Sequence, residues 1–169
     1  DQTVSEDVPS GRMIFTVTLD NAVDGGTDVN YTFTDGSATN GDDYTGTPDT
    51  LSFNGTIGET ETITVLITND ALAEPDETFT VELGAPTNSG VSVIGSPATG
   101  TITNDDSSTL SITDESELED IAGGIMVFTV TLDNFISGGT EVDYSFIDGT
   151  ATGGGVDYTA TAGTLIFAG

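Results

Sequence analysis

The stretch "MIFTVTLDNAVDGGTDVNYTFTDG", residues 13–36, decides the fold. Phe15, Val17 and Leu19 alternate with threonines, and Val29, Tyr31 and Phe33 alternate again after the turn residues Asp24, Gly25 and Gly26. Alternation at period two sends one side of a strand into a core and leaves the other wetted, the pattern of an antiparallel sheet. The pattern continues through Leu51 and Phe53, then Ile63, Val65 and Ile67, then Phe79, Val81 and Leu83, and into a last strand near residues 99–103. Asn-Gly at 40–41 and 54–55 and Asp-Gly at 35–36 supply turn chemistry between these runs. No segment keeps a helical period over three turns, and "DALAEPDE" (70–77) reads as one short turn before Pro75. The expected fold class is all-β, an antiparallel Ig-like β-sandwich.

The deciding stretch also recurs. Residues 13–55 lie over residues 126–169 with 27 identities in 43 aligned positions, once a single glycine is inserted near Gly155. An offset of 113 to 114 residues fits a whole sandwich rather than a small supersecondary repeat. The expectation is tandem repeats with the second incomplete. The first is a domain over 1–106 that lacks its first strand, because "STLSIT" (108–113) has no match ahead of Asp1, the counterpart of Asp114. The second, over 107–169, is the front half of another domain, ending at Gly169, the match of Gly55. Half a sandwich exposes apolar sheet and open edges, so its missing strands lie beyond this stretch or come from a neighbouring chain by strand addition.

Charge narrows the function. There are 29 acidic residues against one basic residue, Arg12, for a net charge of −28. Nothing here neutralises phosphates, which excludes a nucleic-acid partner and disfavours docking on anionic lipid. No run of 18 apolar residues is present, so no direct membrane insertion is expected. With no Cys and no His, thiolate chemistry, zinc fingers and Ser-His-Asp triads are out of reach. So many like charges destabilise a compact state, and bound cations relieve them. Potassium or sodium would screen diffusely; calcium would bind at defined places.

The acids gather at strand ends: Glu6 and Asp7, then Asp42 and Asp43, then Asp70 with Glu74, Asp76 and Glu77, and last Asp105 and Asp106. In an antiparallel sandwich alternate loops share one end, so these loops are expected at a single pole, the one facing the next repeat. Calcium takes six to eight hard oxygen ligands from carboxylates, amides and carbonyls. Isolated acids such as Asp20, Asp24 and Glu82 read instead as solvated surface.

"TVSED" with Glu6, "DGSATNGDDY" (35–44), "ITNDALAEPDETFTVEL" (67–83) and "GTITNDD" (100–106), in that order, resemble a Calx-beta domain. "DGTATGGGVDY" (148–158) repeats the second piece. The resemblance implies a seven-stranded sandwich whose distal loops hold Ca2+ beside the junction with the next domain. Carried over by position, it implies Glu6, Asp43, Asn69, Asp70, Glu74, Glu77, Asn104, Asp105 and Asp106 as metal ligands. In the second copy, Glu119 and Asp157 match Glu6 and Asp43. Asn69 and Asn104 stand where the family carries aspartates, each removing a charge while keeping an oxygen donor.

The function expected is a calcium-binding structural repeat of an extracellular or cell-surface adhesion protein, with Ca2+ stiffening the junction between domains. Adjacent repeats or neighbouring subunits are its expected partners, together with a cell-surface or matrix ligand. Two alternatives stay open: a filament subunit assembled by strand complementation between chains, and a calcium-dependent carbohydrate- or ligand-binding module. An enzyme is not expected. Paired carboxylates do run glycoside hydrolysis, yet there is no Trp to make a sugar platform. Tyr31 and Tyr144 fall in phase with the core.

Overall fold

The structure, a computed structural model, describes every residue except 121 and 122. The chain forms two compact units, Asp1–Asp70 with Pro75–Asp105, and Ala71–Glu74 with Asp106–Gly169.

The first unit holds β1 (Gln2–Ser5), β2 (Arg12–Thr18), β3 (Thr27–Asp35), β4 (Tyr44–Thr45), β5 (Asp49–Phe53), β6 (Thr60–Ile67), β7 (Glu77–Leu83) and β8 (Ala98–Thr103). They make a five-stranded sheet in the order β1-β8-β7-β3-β5 and a three-stranded sheet in the order β2-β6-β4. Period-two alternation decides which side chains meet between the sheets. Phe15, Leu51, Phe53, Ile63, Val65, Phe79 and Val81 are buried, and the threonines between them face outward. Phe79 is the centre of this core. Tyr44 stacks on it with ring centroids 4.1 Å apart, and Phe15 meets it edge-on at 6.2 Å. Gly100 of β8 makes room, since a Cβ there would lie 2.5 Å from the Phe79 ring and 2.9 Å from Met13 Sδ.

Two strands are new relative to the sequence reading. β1 runs parallel to β8, Gln2 opposite Gly100 through Ser5 opposite Thr103, so the five-stranded sheet is not wholly antiparallel. β4 is two residues paired with Ile67 and Leu66 of β6. Neither carries an apolar alternation long enough to read without its partner.

In the second unit, β9 (Leu110–Ile112) pairs antiparallel with β10 (Val130–Leu132), and β11 (Thr140–Tyr144) with β12 (Gly163–Phe167). The short turn expected over 70–77 is not formed. Ala73 bridges to Ile136, its amide donates to Phe135 O at 3.1 Å, and its carbonyl accepts from the Ser137 amide at 3.0 Å. Those partners replace the internal bonds a helical turn would make. The core role expected for Tyr144 is not met either. Tyr144 is 40% exposed and Phe146 43%, whereas Phe33, the counterpart of Phe146, packs against Phe79 at 6.4 Å. No counterpart of β7 covers that face among the described residues.

Candidate metal centre

Backbone pairing carries the carboxylates into place. The Glu6 amide continues the β1–β8 ladder by donating to Thr103 O at 3.1 Å, which sets Glu6 beside the end of β8. The Asn104 amide follows, donating to Asp76 Oδ1 at 3.2 Å. The Thr68 amide donates to Asp43 O at 2.9 Å, joining the 35–46 loop to the end of β6, directly before Asn69 and Asp70. Glu77 opens β7 opposite Ile102.

Two groups of carboxylates result. Glu6, Asp70 and Asp106 each place an oxygen within 4.8 Å of the others, and Asp43, Glu74 and Glu77 do the same. Glu6 is buried, at 5% exposure, and one Asp106 carboxylate oxygen is buried as well. Burying an acid costs free energy unless its charge is compensated, and three carboxylates this close repel one another. A cation answers both problems.

The donor chemistry fits calcium. At a metal–oxygen distance of roughly 2.3–2.6 Å, two oxygens on one Ca2+ stand no farther apart than about 4.6–5.2 Å, a limit that the oxygens of each group meet. All donors are hard oxygens, and the sequence holds no His or Cys to favour zinc. Three carboxylates per group leave positions for carbonyls, amide oxygens and water.

Both groups are drawn from the residues expected from the sequence. Asn69 and Asn104, neutral oxygen donors, neighbour Asp70 and Asp106 in the chain, and Asp105 is exposed. Glu119 and Asp157 lie in the second unit; both are exposed, and neither is gathered with other acids into such a group among the described residues.

Asp43 is held by its own loop. Its Oδ2 accepts from the Thr39 amide at 2.6 Å, and its amide donates back to Thr39 O at 3.0 Å. Asp35, at the other end of the loop, accepts from the Tyr44 hydroxyl at 2.7 Å and from the Asn40 amide at 3.0 Å. Burial and then the Asp35 bond push the Tyr44 hydroxyl well above the usual tyrosine range. In the sequence Asp35 stands as half of an Asp-Gly turn and as the first residue of the 35–44 run, and neither shows its bond to Tyr44. Its spacing to the tyrosine, nearly the same in both repeats, is the signal that was there to find.

Comparison with known proteins now identifies the family. The Calx-beta domain family matches this chain over residues 1–116 and again over 104–169. Sodium/calcium exchanger 1 of Canis lupus familiaris is 34% identical over 158 residues, which cover 82% of this chain and 16% of the exchanger. The Mus musculus exchanger is 32% identical over 154 residues, again 16% of its length. The chain thus spans a small part of these relatives. Among solved structures, the calcium binding domain CBD12 of CALX1.1 aligns with a TM-score of 0.56 and 28% identity, over 62% of this chain and 42% of that one. The apo-form Calx CBD1 domain aligns with the same score and identity, over 62% and 90%. The chain belongs to the Calx-beta family.

Proposed function

We propose that this Calx-beta chain binds Ca2+ through Glu6, Asp70 and Asp106 and through Asp43, Glu74 and Glu77, and that the bound ions stiffen the passage from one repeat to the next. The observation that carries the reading is the first group, three carboxylate oxygens within 4.8 Å with Glu6 buried among them. It is supported by the likeness, at 28% identity, to the calcium binding domain CBD12 of CALX1.1 and to the apo-form Calx CBD1 domain.

The mechanism is electrostatic and mechanical. Without a divalent ion, the like charges push the strand ends apart. With one, the end of β1, the end of β6 and the stretch after β8 share a single centre. The chain passes between its two compact units after Asp70, after Glu74 and after Asp105, so these ligands flank the points of passage. Fixing them removes backbone freedom there. No substrate is turned over.

The setting proposed is outside the cell or on its surface, in an adhesion protein or similar array of repeats. Calcium is abundant there, and modules of such places work with dissociation constants of roughly 10⁻⁴–10⁻³ M. Transport by the whole exchangers is not carried over, since the similarity covers 16% of their length.

Isothermal titration of the calcium-stripped chain tests the reading. Saturable heat with calcium, absent with sodium at equal ionic strength, is the result expected. Heat that vanishes at equal ionic strength would reduce the acids to diffuse screening.

A further inference from the structure

We infer that Asp35 and Tyr44 form a clamp that positions Asp43 for metal binding, with Asp35 acting as a positioning residue and not as a ligand; the inference rests on the calcium reading above.

The clamp fixes both ends of one loop. Asp35 is the last residue of β3 and Tyr44 the first of β4, and a single oxygen, Asp35 Oδ1, takes both the Tyr44 hydroxyl and the Asn40 amide. Asn40 then closes on Gly46, its Nδ2 donating to Gly46 O at 2.8 Å and its Oδ1 accepting from the Gly46 amide at 3.2 Å. Asp43 immediately precedes the anchored Tyr44. With its Oδ2 already taking the Thr39 amide, its orientation is set by the loop.

A buried hydroxyl needs an acceptor in any protein, and Tyr44 is fully buried. The second repeat separates that requirement from positioning. Tyr158, the match of Tyr44, is only half-buried, yet its hydroxyl donates to Asp148 Oδ1 at 2.7 Å, and Asp148 Oδ1 also takes the Gly153 amide at 2.9 Å. Asp157 Oδ2 takes the Thr152 amide at 2.8 Å, repeating the Asp43–Thr39 bond. A tyrosine with access to water has no need of a protein acceptor. The bond recurs there together with the aspartate geometry beside it.

The length of the loop makes the same point. The second copy is one residue longer, and the surplus sits at Gly154 and Gly155, both at positive φ, between the two conserved anchors. The Tyr–Asp and Asp–Thr bonds survive the insertion while the Asn40–Gly46 clasp, with glycine at 153, does not recur. What persists is the pair of bonds that aims the aspartate.

Calcium titrations of the full chain carrying Y44F, D35A or D35N test the inference, each paired with thermal melts in EDTA. D35N keeps an acceptor for the buried Tyr44 hydroxyl and so keeps the fold, and the melts in EDTA show how much stability D35A and Y44F lose. Removing a bond that orients a ligand weakens metal affinity by roughly 10-fold or more, and that loss is expected for D35A and Y44F. D35N retains an acceptor oxygen and restores most of the affinity, whereas a role for the Asp35 charge on the metal would leave D35N as weak as D35A. Wild-type affinity in D35A, with only the EDTA melting temperature lowered, overturns the clamp and leaves the calcium reading intact. An unvaried chain that takes up no calcium overturns the reading itself.

Discussion

The amide of Glu6 donates to the carbonyl of Thr103 at 3.1 Å, extending a parallel strand pair by one bond and delivering a buried carboxylate to the end of β8. The backbone of Glu6 is thereby placed by the strand ladder. Substitution of Glu6 tests charge without disturbing the strand.

Glu6→Gln keeps the shape and removes the charge. In EDTA the variant is expected to melt higher than the parent, because one of three crowded carboxylates is gone. In calcium the order reverses, since an ion contact is lost. Differential scanning calorimetry in both buffers reads the crossing. A variant that melts lower in EDTA as well would assign Glu6 a plain structural role.

Chelation is the corresponding test on the unmodified chain. A ligand at 100 times its dissociation constant adds about 2.7 kcal/mol to the folded state. In a domain of about 100 residues that moves the melting temperature by roughly 10–20 °C. EDTA is expected to abolish the shift, and magnesium to reproduce little of it, because it prefers near-octahedral geometry and retains its waters.

Gly100→Ala tests the core. The new methyl would press on the Phe79 ring at 2.5 Å and on Met13 Sδ at 2.9 Å. Overpacking of this kind costs about 1–3 kcal/mol. Chemical denaturation should show that loss in the first unit, and a variant as stable as the parent would mean that the ring moves aside freely.

Acid acts on the 54–59 turn in a defined direction. The Glu59 carboxylate accepts from the Asn54 amide and side chain and from the Gly55 and Thr56 amides at 2.9–3.2 Å. The Asn54 amide bond is the largest of the effects that hold its pKa below the ordinary 4.5. A folded pKa below the unfolded one gives stability that is present above the unfolded value and lost as pH falls through the folded one. Carbon-13 titration should therefore place the Glu59 midpoint below 4.5, and in Asn54→Ala, which removes the side-chain donor, closer to it.

The alternation of Phe15, Val17 and Leu19 with threonine was enough to read β2, and similar runs gave β3 and β5 to β8. β1 was not legible, because "QTVS" has no alternation of its own and is a strand only by pairing with residues 98 positions away. The acids at strand ends could be read as a set because turns concentrate them there. Asp35 escaped for the same reason: an Asp-Gly pair after a strand already has an explanation, and the Tyr44 hydroxyl that gives it a second one lies nine residues on. Tyr144 was misread because phase reports which face a residue occupies, and not whether anything covers that face.

The parallel pairing of β1 with β8 has a further consequence for a protein under load. β1 and β8 lie side by side in the first unit and point the same way, 98 residues apart in the chain at Gln2 and Gly100. Tension entering ahead of β1 and leaving after β8 would drag them in opposite directions along their length. Their bonds would then have to give way together in shear, and not one after another as in a zipper. That arrangement resists force along the chain far better than force across it.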